Sequence, residues 1–396
     1  MVVRSGGIID CTLREGDQAP GVWLEQPEKV ELFAALDAAG VAVIDAGMPA
    51  ISEAERQLLK TLAERPRQAS LAASIRCREE EVRLALECGV EEVFIIYPVS
   101  VLHREVRLGL SRPRWLEQGH RVMAAARSAG LTVSVVMEDA SRALEEDLES
   151  AALLCQQEGA HRVMICDTVG ILTPARVATL IHSIRQVLGS EFPVGTHFHN
   201  DFGMATANTF AGLEAGALWP SVTLGGVGER AGNAPLAEVV TAARLLLGIH
   251  LGVAMDSLVP LTRLGEKLTG VFQGQAAPVV GATSFDHESG IHVHGQLKDA
   301  SMYAGLDPTQ VGRNHQLSWG KHSGRAGLVH LASLHGISDG PWIDEALRRL
   351  KERRPRHYHR AITQFLAARD SYLNRGRGVP EGEVVALLRA CTQESM

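Results

Sequence analysis

The chain has 396 residues, 45% of them apolar and 21% charged, enough to bury a full core and inconsistent with a disordered or fibrous protein. Lys and Arg number 39 against 46 Asp and Glu, and the resulting net charge of −7 argues against a nucleic-acid binder. No apolar run approaches the roughly 20 residues of a membrane span. Met1–Ile9 lacks the apolar core of a signal peptide, and the 6 scattered cysteines form no C-x-x-C pair, so a cytoplasmic protein with reduced thiols is expected.

Strands are predicted at Ile8–Thr12, Ala42–Ala46, Ala69–Ile75, Glu92–Ile96, Thr132–Met137, Arg162–Cys166, Val194–His199 and Ser221–Leu224, from short β-branched runs. Between them, apolar residues at three- and four-residue spacing predict helices, among them Pro27–Ala39, Glu53–Ala63, Arg78–Glu87, Arg114–Ser128, Arg142–Gln157, Pro174–Leu188, Met204–Ala215 and Leu236–Leu247. Gly40, Gly89, Gly130, Gly159 and Gly216 read as helix stops. Eight such units predict an α/β fold, a (β/α)8 TIM barrel over residues 1–250, because an open doubly wound sheet usually has fewer strands. No G-x-G-x-x-G opens the first βα turn, so a dinucleotide fold is not expected. The pattern then changes. Residues 251–282 read as a helical linker, 283–335 as a histidine-rich subdomain, and 336–396 as a helical C-terminal region whose basic run Arg348–Arg360 is read as a solvated helix face.

In such a barrel the chemistry lies at the C-terminal ends of the strands. The strongest constellation there is His197-Phe198-His199, because alternation along a strand points both imidazoles to one side. Two imidazoles and a carboxylate make a divalent-metal site, and Glu15, after the first strand, is the nearest acid around a closed ring. Mixed N/O ligands suit Mg, Mn, Co, Fe or Zn without choosing among them. Arg14 would face negative charge developing beside the metal, or else form a structural ion pair. Glu138-Asp139 would hold a general base or cap a helix, and Thr168 with neighbouring amides would receive a carboxylate or simply make a turn.

Seven ordered motifs carry a family resemblance: DCTLREGDQ (Asp10–Gln18), MEDASRA (Met137–Ala143), CDTVG (Cys166–Gly170), THFHND (Thr196–Asp201), GERAGNAPL (Gly228–Leu236), HESGIH (His287–His292) and GKHSGRAGL (Gly320–Leu328). With these the chain resembles the DRE-TIM metallolyases. Within them it resembles the acyl-CoA-dependent condensing branch of isopropylmalate, citramalate and homocitrate synthases, nearest to the nitrogenase-associated homocitrate synthase type. The resemblance implies a Claisen-type condensation of acetyl-CoA with a small anionic 2-oxo acid, then thioester hydrolysis. It implies a metal held by Glu15, His197, His199 and Asn233, with Arg14 polarising the keto oxygen. Gln18 and Thr168 would bind the oxo-acid end, His292 and Glu138 would form the base dyad, and Tyr303 would be a catalytic tyrosine. It further implies a homodimer in which the segment with His292 and Tyr303 completes the partner's site.

The acceptor is the open question at this level. Asp45 and Ser134 depart from many relatives, and Ser74, Arg76, Ser100, His103, Arg104 and Ser134 together suggest a polar, partly cationic pocket. Such a pocket would favour a second anionic group on the acceptor, 2-oxoglutarate first, over a branched aliphatic chain. The alternatives are a 2-phosphinomethylmalate or 2-phosphonomethylmalate synthase, an isopropylmalate or citramalate synthase, a CoA-independent metal-dependent C–C lyase, and a non-catalytic subunit on the same barrel.

Overall fold

A computed structural model of the chain describes residues 6–353, 358–375, 379 and 381–394. Eight parallel strands close into a barrel in chain order: β1 (Ile9–Asp10), β2 (Val43–Asp45), β3 (Ser70–Arg76), β4 (Glu92–Pro98), β5 (Thr132–Glu138), β6 (Arg162–Asp167), β7 (Val194–Phe198) and β8 (Trp219–Val222). The seam is the pairing of Ile9 with Ser221 and Asp10 with Val222. Helices α1 (Gln26–Ala38), α2 (Glu53–Ala63), α3 (Glu79–Glu87), α4 (Arg112–Ser128), α5 (Glu145–Gln157), α6 (Pro174–Leu188), α7 (Ala205–Glu214) and α8 (Leu236–Leu246) alternate with the strands, and α9 (Leu258–Thr269) follows. The predicted TIM barrel is therefore the observed fold. The five glycines read as helix stops all take positive φ, between 69° and 94°.

Some boundaries moved for local reasons. Helix α5 begins at Glu145, three residues later than the periodicity suggests, because Asp139 takes a left-handed φ of 65° and Ala140–Arg142 form a 3-10 turn. The eighth strand is shifted toward Trp219, and Leu224–Gly226 leave it in a turn with Gly225 at φ 61°.

The strands are buried on both faces, as a helix-wrapped parallel barrel requires. Ile9, Cys11, Val43, Ala72, Phe94 and Met164 form an interior cluster. Below them lies a charged floor. Arg162 Nη2 donates to Glu92 Oε2 at 2.9 Å, Ser134 Oγ donates to Glu92 Oε1 at 2.5 Å, and the Arg162 guanidinium lies 4.1 Å from the Trp219 ring centroid. Gly195 in β7 admits this close packing, since a Cβ there would come within 2.4 Å of Met164 Sδ and of the Trp219 carbonyl. Cys11, Cys77, Cys88, Cys155 and Cys166 are buried thiols. Among the described residues no helix is long and apolar enough to cross a membrane.

The chain divides into two compact units, residues 1–272 and 273–396, the division falling within the stretch read as a linker. In the second unit, β9 (Asp286–His287) pairs in parallel with β10 (Gln316–Leu317), and α10 (Gly290–Lys298) packs on α11 (Arg325–Leu334), which packs on α12 (Pro341–Glu352). Two further helices follow, α13 (Tyr358–Arg375) and α14 (Glu381–Glu394). Within the basic run, Arg348 and Arg349 make i±3 and i±4 pairs with Glu345 and Glu352 on an exposed face of α12. Residues 354–357 and the side chains of 358–360 lie outside the described residues.

Candidate active site

The C-terminal mouth of the barrel holds a cavity of about 460 Å³. Strand β7 and the residue just after it bring His197 and His199 to it with their rings 5.2 Å apart and nearly perpendicular. The tight turn after β1, in which Glu15 N donates to the Cys11 carbonyl at 2.7 Å, aims Glu15 at the same point. Each of the three offers one ligand atom, and these atoms lie within 4.8 Å of one another. Asn233 is bridged through its backbone to His199, and its Nδ2 lies 3.5 Å from His197 Nε2. Asn233 Oδ1 and His199 Nδ1 are buried without a hydrogen-bond partner.

The electrostatics suit a cation. Burial pushes the Glu15 carboxyl up, but Arg14 and the two imidazoles outweigh it and hold it down at about 2. Burial pushes His197 down to about 3 against the pull of Glu15, and burial lowers His199 as well. Glu15 is therefore charged and His197 and His199 neutral near pH 7, the protonation states in which these groups ligate metals. An orphaned amide oxygen beside one carboxylate and two neutral imidazoles fits a divalent ion. The residues expected from the sequence as ligands are thus brought together.

Arg14 bridges Glu15 and Asp45. Its Nε donates to Asp45 Oδ2 at 2.8 Å and its Nη1 to Glu15. Asp45 is buried and also accepts from Ser74 Oγ at 2.8 Å, so Asp45 orients Arg14 as well as lining the cavity. Exposed Gln18 lines the cavity, with its Nε2 3.7 Å from Met48 Sδ. Thr168 lines it too, and its Oγ1 accepts from Asp139 N at 2.8 Å. Glu138 stands at the edge, paired with Arg107. Asp139 is committed elsewhere, accepting from Ser100 Oγ at 2.5 Å and pairing with Arg142.

The expected polar acceptor pocket is not assembled from the predicted residues. Of those six only Ser74 lines the cavity. Ser134 lies in the charged floor with Glu92. Arg104 is buried against Asp147 at 2.7 Å and over the Trp115 ring. Arg76 pairs with Glu81 and lines a neighbouring cavity. The lower lining is instead Ile9, Phe94, Ile96, Val136 and Met164. Sequence reasoning went astray because charge and strand position do not reveal whether a side chain at a barrel rung faces the mouth, the floor or a flanking helix.

Three residues at the site were missed. Ser221 Oγ lies 2.9 Å from His197 Nδ1, Gly228 leaves room for Asn233, and Arg107 contacts Glu138. Gly228, inside the GERAGNAPL motif, and Arg107, inside the stretch YPVSVLHREVRLGL that also resembles the nitrogenase-associated type, had a signal, whereas Ser221 had none. His292 and Tyr303 belong to the second unit, where their rings stack at 4.4 Å, with His287 5.8 Å from His292.

Comparison with known proteins places this geometry in a family. Residues 7–264 match the HMGL-like family model, and residues 279–354 match that of the homocitrate synthase post-HMGL domain-like family. A homocitrate synthase of Methanopyrus kandleri is 38% identical over 87% of this chain and 86% of its own. An (R)-citramalate synthase of Methanocaldococcus jannaschii is 37% identical over 89% and 70%. A 2-isopropylmalate synthase of Sulfolobus acidocaldarius is 38% identical over 87% and 89%. Among solved structures, the hydroxymethylglutaryl-CoA lyase of Pseudomonas aeruginosa superposes with a TM-score of 0.61 at 24% identity, over 68% of this chain and 95% of the lyase, a likeness of fold alone. The three synthases are named after three different products, and each aligns with most of this chain. The chain belongs to the HMGL-like family, in the branch that carries the homocitrate synthase post-HMGL domain.

Proposed function

We propose that the protein is a divalent-metal-dependent enzyme, a cytoplasmic homodimer, that condenses acetyl-CoA with a small 2-oxo acid and hydrolyses the thioester to a 2-substituted malate. The observation that carries this reading is the convergence of Glu15, His197, His199, Arg14 and Glu138 on one cavity. A cation held by Glu15, His197, His199 and Asn233 would polarise the 2-oxo acid. Arg14, oriented by Asp45, faces the keto oxygen and stabilises the alkoxide that forms there. Gln18 and Thr168 receive the oxo-acid carboxylate. Glu138, acting with His292, removes a proton from the acetyl methyl group, whose weak acidity demands a positioned base. The apolar lower lining takes the acceptor's methylenes. The segment 283–335, with His292 and Tyr303, completes the site of the partner subunit.

Thiol release from acetyl-CoA, measured with added Mg, Mn, Co or Zn and a panel of 2-oxo acids, tests the reading. Release with at least one acid, abolished by chelation, is expected. Cleavage of a C–C bond without CoA, and no thiol release with any acid, would replace condensation by a lyase activity.

A further inference from the structure

Arg107 lines the cavity yet has no part in the chemistry just proposed. It is delivered by an uncommon element, a π-turn at Leu102–Arg107 that follows β4. Such turns are rare and concentrate at functional sites. The guanidinium grips Glu138 with both arms, Nη1 donating to Oε1 at 3.0 Å and Nη2 donating to Oε2. His103 of the same turn stands 3.4 Å from Oε1. Both carboxylate oxygens are therefore engaged by one cation.

The location of this pair is as informative as its geometry. A second cavity of about 490 Å³ adjoins the first, and the two share Ile96, Arg107 and Glu138 in their linings. The ion pair is thus part of the partition between them. Arg107 is 47% exposed and Glu138 14%, so water reaches the guanidinium and the pair contributes little net stability that an incoming anion would have to replace. Among the described residues lining the first cavity, the other arginines are tied down. Arg14 is bound to Glu15 and buried Asp45, and Arg230 is bound to Asp201 and the Thr168 carbonyl. The lower lining supplies no cation.

We propose that Arg107 selects acceptors that carry a second carboxylate, and that binding such an acceptor releases Glu138. This rests on the condensation reading. An acceptor anchored by its oxo-acid end presents its distal carboxylate to Arg107 at high local concentration. The planar fork matches that group as well as it matches Glu138. Once the guanidinium turns to the acceptor, a freed Glu138 oxygen takes the acetyl C–H proton, and the electron pair passes into the thioester enolate. A monoanionic acceptor has no group with which to open the clamp.

The test compares Arg107→Gln and Arg107→Lys with the wild type, using kcat and KM for 2-oxoglutarate and oxaloacetate against pyruvate and 2-oxoisovalerate. The wild type should favour the dianions. Arg107→Gln should lose at least about tenfold in kcat/KM on the dianions, the scale of a lost charged hydrogen bond, and keep or raise kcat on the monoanions. Arg107→Lys should recover part of the preference. Equal losses on every acceptor, an unchanged ratio, or a wild type that favours monoanions would overturn the proposal. A calorimetric titration with 2-oxoglutarate and with pyruvate, in the presence of Mn and without acetyl-CoA, separates the two readings. If no acid supports thiol release, the condensation reading fails, while tighter dianion binding that vanishes in Arg107→Gln still upholds Arg107 as the selector and its absence still rejects it.

Discussion

Ser221 Oγ sits 2.9 Å from His197 Nδ1 and 3.0 Å from Cys11 Sγ, so β8 fixes the ring of a residue on β7. With Nδ1 engaged, Nε2 is the nitrogen left to face Glu15, and the ring cannot rotate without losing its partner. Groups of this kind typically contribute about 10- to 100-fold to metal affinity. Ser221→Ala is therefore expected to weaken Mn or Zn binding by about tenfold or more with the fold retained, and His197→Ala to abolish it. Calorimetric titration with circular dichroism as the fold control checks both, and unchanged affinity in Ser221→Ala would remove the orienting role.

The depressed His197 pKa makes metal binding insensitive to mild acid. A pair of histidines at their usual 6.5 would be mostly protonated at pH 5.5, costing about 100-fold in affinity; with His197 titrating near 3 and His199 also lowered by burial, the loss between pH 8 and 5.5 should stay well below that. An affinity that falls steeply below pH 6.5 would contradict the burial argument.

Stability without metal should respond to pH in a defined sense. The unfolded chain protonates this imidazole near 6.5 and the fold only near 3, so the stability present above 6.5 is lost as the pH falls between those values. Glu15, lowered from 4.5 to about 2, adds a loss in the same direction below 4.5. Asp10 opposes them. Burial raises it from 3.8 to about 7, so the fold binds a proton there that the unfolded chain lacks, and that contribution is full below 3.8 and lost as pH rises through 7. Asp10→Asn should steepen the fall in Tm from pH 7 to pH 4, and a shallower fall would reverse this assignment.

Gly228 is a spatial requirement. A Cβ there would lie 2.1 Å from Asn233 Oδ1 and 3.4 Å from Glu15 Cγ. Gly228→Ala must displace the amide or the carboxylate, and a loss of metal affinity of at least about tenfold is expected, in the range seen when groups supporting a metal site are disturbed. Wild-type affinity in this variant would show that Asn233 is no ligand.

The charged floor is structural. Arg162→Met would leave buried Glu92 uncompensated and should cost about 3–5 kcal/mol of stability. Ser134→Ala removes one hydrogen bond to Glu92 and should cost about 1 kcal/mol while leaving acceptor preference unchanged. Denaturant titration and the acceptor panel measure the two effects, and a changed preference in Ser134→Ala would return that residue to the pocket.

Assembly is tested by complementation. If His292 of one protomer serves the barrel mouth of the other, mixing His292→Ala with Arg14→Ala chains should regain up to about a quarter of wild-type activity, through the statistical share of intact sites in symmetric dimers. No recovery in a mixture shown to exchange subunits would mean a site built within one chain.

The barrel was legible in the residues, because eight rounds of β-branched strand and amphipathic helix leave few other ways to bury both faces of a parallel sheet. The grouping of the three candidate ligands was legible there too, since His197 and His199 at a period of two must share a face, and closure of the ring carries Glu15 to them. The lining of the cavity depended on how the elements pack. Ser134, Arg104 and Arg76 are as polar in sequence as Ser74, yet depth along the barrel and partners from neighbouring strands and helices send one to the floor, one to Asp147 and one to Glu81. Arg107 reaches Glu138 only because a π-turn, which no spacing rule announces, adds a residue to the helical step after β4.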